Sequence, residues 1–127
     1  ERIAHLAKLK SYLKMLIIDN IPDLRVNTPQ NSLPSILNIS FLGCRGEVLL
    51  HSLEADGIYV STGAACSSKS KGSHVLSAMG LSQEEVEGAL RFSFSEENSV
   101  KQMEYVVDKL KAAVRSQRKL RRGFRKG

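Results

Sequence analysis

The residues with the clearest capacity for chemistry lie between positions 61 and 73. Ser61-Thr62-Gly63-Ala64-Ala65-Cys66-Ser67-Ser68 opens a run of thirteen residues drawn only from Ser, Thr, Gly, Ala, Cys and Lys. Such a run lacks the apolar bulk to pack by itself, so an exposed loop is expected, one that a substrate can reach and that can move. The thiolate is the nucleophilic form of cysteine, and the nearby Lys69 and Lys71 would favour it at Cys66. The plainer reading is a small buried hydrophobe, the usual fate of an unpaired cysteine, and the local sequence leaves both open. Arg91 is the second candidate. It interrupts the apolar alternation of Ala89-Leu90-Arg91-Phe92-Ser93-Phe94, so it either faces water or holds an anion with its planar fork. Cys44, in a turn between Gly43 and Arg45-Gly46, reads as an inert structural thiol. His5, His51 and His74 stand alone, with no metal-ligand spacing among them. No phosphate-cradling glycine motif and no nucleophile elbow is present.

The elements that must hold these residues follow from periodicity. Ile3, Leu6, Leu9, Leu13, Leu16 and Ile17 mark an amphipathic helix that ends before Ile21-Pro22. A short strand is expected over 23–26 and a loop over 27–32. Leu37, Ile39 and Phe41 alternate onto one face of a strand over 35–41, with Ile36 suggesting burial on both faces near its start. A helix from Gly46 is closed by Gly57, and a strand is expected at Ile58-Tyr59-Val60. A short helix is expected over 74–79. Ser82 with Glu85, and Ser99 with Gln102, have capping-box spacing and should each open a helix. The second of these shows Val100, Met103, Val106, Val107, Leu110 and Val114 along one face. The expected fold class is α+β, a small three- to four-stranded sheet covered by helices on one face.

Charge narrows the partners. Of 19 Lys+Arg and 13 Asp+Glu, residues 115–127 hold seven basic residues and no acid. The body is therefore near neutral, and the net +6 belongs to an appendage, expected to be a solvated, partly flexible tail. Nucleic-acid binding by the body is disfavoured, and the tail offers a binding module for RNA or an acidic partner as the alternative function. No apolar run approaches bilayer length, so no membrane role is expected. Two cysteines form no disulfide framework, which points to a reducing cytoplasm. The chain opens at Glu1 inside a helical pattern without a signal peptide, and is expected to be part of a longer protein.

Five ordered segments carry a specific resemblance: Ser35-Ile36-Leu37-Asn38-Ile39-Ser40-Phe41, Gly46-Glu47-Val48-Leu49-Leu50, Ser61 to Ser67, Val75 to Gly80, and Leu90-Arg91-Phe92-Ser93. Together they resemble the C-terminal small domain of the cysteine desulfurases, the NifS/IscS-like group of class V, fold type I pyridoxal-phosphate enzymes. The resemblance implies a small domain over 1–114, a basic tail over 115–127, Cys66 as the persulfide-forming nucleophile and Arg91 as the substrate-carboxylate residue. It also implies L-cysteine as substrate and L-alanine as product. A sulfur-acceptor protein is implied as partner, such as an iron–sulfur scaffold or a tRNA-thiolation protein, and the full-length enzyme is implied to be a homodimer. Pyridoxal phosphate would be the cofactor of the full-length enzyme. Its lysine, pyridine-contacting aspartate and stacking histidine lie in the family's large domain, with no counterpart here. The fragment alone is therefore expected to be inactive. A class V aminotransferase relative without sulfur chemistry is the other alternative, disfavoured by the Cys66 loop.

Overall fold

Leucines at helical spacing build the first layer. The structure, a computed structural model, describes residues 2–29, 33–62 and 80–126, with side chains placed as far as residue 120. Helix α1 (Arg2–Asn20) buries Leu6, Leu9, Leu13 and Ile17 along one stripe. It stops where Pro22 disfavours helical backbone at the residue before it. Helix α4 (Val100–Lys126) packs against α1 through Met103, Val107, Leu110 and Val114. Two polar contacts set the register of this pair. The Tyr12 hydroxyl donates to Glu104 Oε2 at 2.7 Å, and His5 Nε2 donates to the Asn98 carbonyl at 2.9 Å. The expected capping box opens α4: Gln102 N donates to Ser99 Oγ, and Ser99 N donates to Gln102 Oε1.

Alternation builds the second layer. Strands β1 (Leu24–Val26), β2 (Ile36–Phe41) and β3 (Ala89–Ser93) form an antiparallel sheet in the order β1-β2-β3. Leu37, Ile39, Phe41, Leu90 and Phe92 are buried in one core with the stripes of α1 and α4. Helix α2 (Gly46–Ala55) joins that core through Leu49 and Leu53. Gly57 ends it at φ +80°, a left-handed conformation that glycine adopts without steric cost, and Ile58 N then bonds back to the Leu53 carbonyl. Helix α3 (Gln83–Glu87) is the short element before β3, opened by the Ser82–Glu85 capping box. The result is the expected α+β architecture, with three strands and the three long helices on one face.

Two expectations are corrected. Ile58-Tyr59-Val60 is not a strand: the chain meets the sheet only at a single bridge between Ser61 and Arg91. Burial on both faces of β2 falls at its end, at Ser40 and Phe41, not near Ile36. Ser40 is enclosed because α3 lies over it and its hydroxyl donates to the Glu85 carbonyl. Helix α4 runs on into the basic segment, so positions 114 and 115 both lie within it. The expected helix over 74–79, like most of the loop over 61–73, lies outside the described residues.

Candidate active site

One face of the sheet is filled by helices, and the candidate site lies on the other. Antiparallel register sets Asn38 of β2 directly opposite Arg91 of β3, Ile36 opposite Ser93, and Arg25 of β1 opposite Ser40. Because side chains alternate along a strand, burying Leu90 and Phe92 in the core turns Arg91 and Ser93 outward. The face therefore carries two arginines, Arg25 and Arg91, among amides and hydroxyls.

Their environments differ in a way that decides which can bind. Arg25 is already neutralised, its Nη1 lying 3.0 Å from Glu85 Oε1. Arg91 has no carboxylate partner among the described residues. Its one described side-chain hydrogen bond runs from Nη2 to Ser61 Oγ at 3.3 Å. The Arg91 backbone is fixed far more firmly. Arg91 N donates to the Ser61 carbonyl at 2.7 Å, and Ser61 N donates to the Arg91 carbonyl at 3.1 Å. The guanidinium thus projects from a rigid strand with most of its donor fork unused, a geometry suited to a carboxylate or phosphate.

Beneath it runs a polar network that the sequence reading did not single out. Asn27 is buried, and its Nδ2 donates to Asn38 Oδ1 at 2.8 Å and to Ser40 Oγ at 2.9 Å. Asn38 is thereby held beside Arg91 by a side chain with little freedom. The signal was present in the alternation Leu37-Asn38-Ile39-Ser40-Phe41, which sends both polar residues to the face shared with Arg91.

Ser61 ties this site to the small-residue run. It is the first residue of the stretch 61–73, and its bridge joins the start of that stretch to β3 at Arg91. Gly46, the first residue of α2, permits the approach: a Cβ there would lie 2.6 Å from the Ala89 carbonyl oxygen and 3.2 Å from Thr62 Cγ2. Cys66, with Lys69 and Lys71, lies outside the described residues. Cys44 is buried at 2% exposure, its Sγ 3.9 Å from the Val114 carbonyl, as expected of a structural thiol.

The described residues do not fit pyridoxal phosphate. Every lysine whose side chain is described lies on α1 or α4, and these helices cover the face opposite Arg91. The polar face itself offers arginines, amides and hydroxyls but no amine for an imine. Among the described residues no group of three or more metal-ligating side chains forms. No helix of the described residues is long and apolar enough to cross a membrane.

Comparison with known proteins bears on the family and the fold. The model of the family "Aminotransferase class-V" matches residues 1–106. The chain is 37% identical over 119 residues to the cysteine desulfurase IscS of Clostridium botulinum (strain Hall), covering 91% of this chain and 30% of that protein. It is 38% identical over 103 residues to a cysteine desulfurase of Nostoc sp., covering 80% and 26% respectively. A solved NifS-like protein superposes with a TM-score of 0.74 at 32% identity, over 87% of this chain and 27% of that one. An aminotransferase, TlmJ of Streptoalloteichus hindustanus, shares the fold at TM-score 0.64 and 14% identity, over 91% and 32%. The chain spans about a third of the length of the curated relatives it matches. With a family match over most of its length and a NifS-like fold, the chain belongs to the class-V aminotransferase family and is similar to its NifS/IscS-like members.

Proposed function

We propose that this chain is the small domain of a cysteine desulfurase, in which Arg91 binds the carboxylate of L-cysteine and Cys66 receives its sulfur. The observation that carries the reading is Arg91 itself: a guanidinium without a described carboxylate partner, on a rigid strand, bonded through Ser61 to the stretch that bears Cys66. Two parallel hydrogen bonds from its fork would fix the substrate and set its sulfur toward the loop. Cys66 is the fifth residue after Ser61, so covalent geometry keeps their Cα atoms within about 18 Å. That tether is short enough to reach a substrate held at Arg91 and long enough to carry sulfur away.

The transfer forms one bond and breaks one. The Cys66 thiolate attacks the substrate thiol sulfur, a sulfur–sulfur bond forms, and the substrate carbon–sulfur bond breaks with its electron pair on carbon. That carbon takes a proton, giving L-alanine and a persulfide on Cys66. Pyridoxal phosphate, the cofactor of the full-length enzyme in this reading, would be held by residues outside those described. The cytoplasm, a homodimer and a sulfur acceptor serving iron–sulfur assembly or tRNA thiolation are the setting this reading carries with it.

The test is made on the full-length protein with L-cysteine. Alanine and persulfide should form in equal amounts, and Cys66→Ser should abolish sulfur transfer. Sulfur transfer that survives in Cys66→Ser removes the cysteine from its role. Alanine formation that never depends on L-cysteine would support the aminotransferase alternative.

A further inference from the structure

A second surface lies between the end of α1 and α4, and its α4 residues fall beyond the span 1–106 matched by the family. Where α1 ends, its last residues and the turn after them form a groove with α4, a cavity of about 430 Å³. Its floor is apolar, made by Ile21, Pro22 and Val114. Its α4 wall is basic: Lys111, Arg115 and Lys119 recur at four-residue steps and line the groove together. The same lining includes Asn20 and a single carboxylate, that of Asp23.

The wall is rigid because Arg118 secures it. Its Nε donates to the Leu42 carbonyl at 3.0 Å, and Nη1 and Nη2 donate to the Pro22 and Asp23 carbonyls at 2.8 Å each. One cation is thus consumed in holding the helix to the turn. Lys111, Arg115 and Lys119 make no ion pair among the described residues. Like charges four residues apart destabilise a helix, so folding alone does not account for this row.

We propose that this groove docks an acidic polypeptide segment, with an apolar side chain on the Ile21–Val114 floor and flanking carboxylates on Lys111, Arg115 and Lys119. The floor distinguishes this occupant from a nucleic acid. A phosphate backbone would use the cations alone, and among the described residues no aromatic lines the groove to stack a base. The inference needs neither Cys66 nor a cofactor, so it stands or falls separately from the desulfurase reading.

The test uses the intact protein and a fluorescein-labelled peptide, EEDLLDEE, followed by anisotropy at low salt, with oligouridine and the peptide EEDSSDEE as competitors. Saturable binding is expected, weakened at least about tenfold by the combined substitutions Lys111→Glu, Arg115→Glu and Lys119→Glu. EEDSSDEE should compete several-fold less well than the unlabelled leucine peptide, because it leaves the floor uncovered. If circular dichroism shows the reversed variant unfolded, the triple glutamine variant replaces it, with a loss of several-fold expected. No saturable binding, equal affinity in the folded variant, or equal competition by EEDSSDEE overturns the proposal. Tighter binding of oligouridine through the same three residues also overturns it and assigns the wall to nucleic acid.

Discussion

At the scale of the residue, the two arginines of the polar face show how one side chain type takes opposite roles. Arg25 is spent on Glu85, whereas Arg91 keeps most of its fork. On the proposed function, Arg91→Lys in the full-length protein should retain charge but lose the proposed bidentate grip, raising the KM for L-cysteine roughly tenfold to a hundredfold. Steady-state kinetics check this, and an unchanged KM removes Arg91 from the site. Removing the Asn27–Asn38 bond by Asn38→Ala should leave Asn27 Nδ2 partly unsatisfied in a buried position, at a cost of about 1–2 kcal/mol in urea unfolding. Arg91 was legible in the sequence because a charge inside an apolar alternation is conspicuous. Its pairing with Ser61 was not, because a bridge across thirty residues leaves no local trace.

At the scale of the element, the boundaries follow caps and glycines more than propensity. Ser82 Oγ accepts from Glu85 N at 3.1 Å, and Glu85 Oε1 accepts from Ser82 N at 2.8 Å. Ser82→Ala should therefore destabilise the protein by about 1 kcal/mol. The Ser82 backbone N–H, with Arg25 beside it, holds the Glu85 carboxyl below its ordinary range. A depressed pKa gives stability that is present above the ordinary glutamate value, about 4.3, and is lost as pH falls toward the folded value. The stability difference between wild type and Glu85→Gln should accordingly shrink as melts are moved from about pH 6 to about pH 3. Gly46→Ala drives a Cβ against the Ala89 backbone carbonyl and should cost about 1–3 kcal/mol, displacing the 61–62 segment from β3. The expected strand at Ile58-Tyr59-Val60 failed for a reason local patterns do not encode. Of residues 58–62, only Ser61 pairs with β3.

At the scale of the whole molecule, one cation of the basic segment has a structural task. Arg118 fastens α4 to the carbonyls of Pro22, Asp23 and Leu42. Arg118→Ala should lower the melting temperature by roughly 3–5 °C per kcal/mol lost and speed amide exchange over residues 115–120. An exchange pattern equal to wild type would show that Arg118 does not hold the helix. The sequence by itself determined the α+β class, the helix stripes, the alternating strands, the caps and the family resemblance, because each rests on contacts a few residues apart or on residue order. Only the tertiary structure decided that Asn38 stands beside Arg91, that Ser61 anchors the cysteine-bearing stretch there, and that a basic wall faces an apolar floor. Those depend on which distant segments meet, and that is set by burying the shared core rather than by any local pattern.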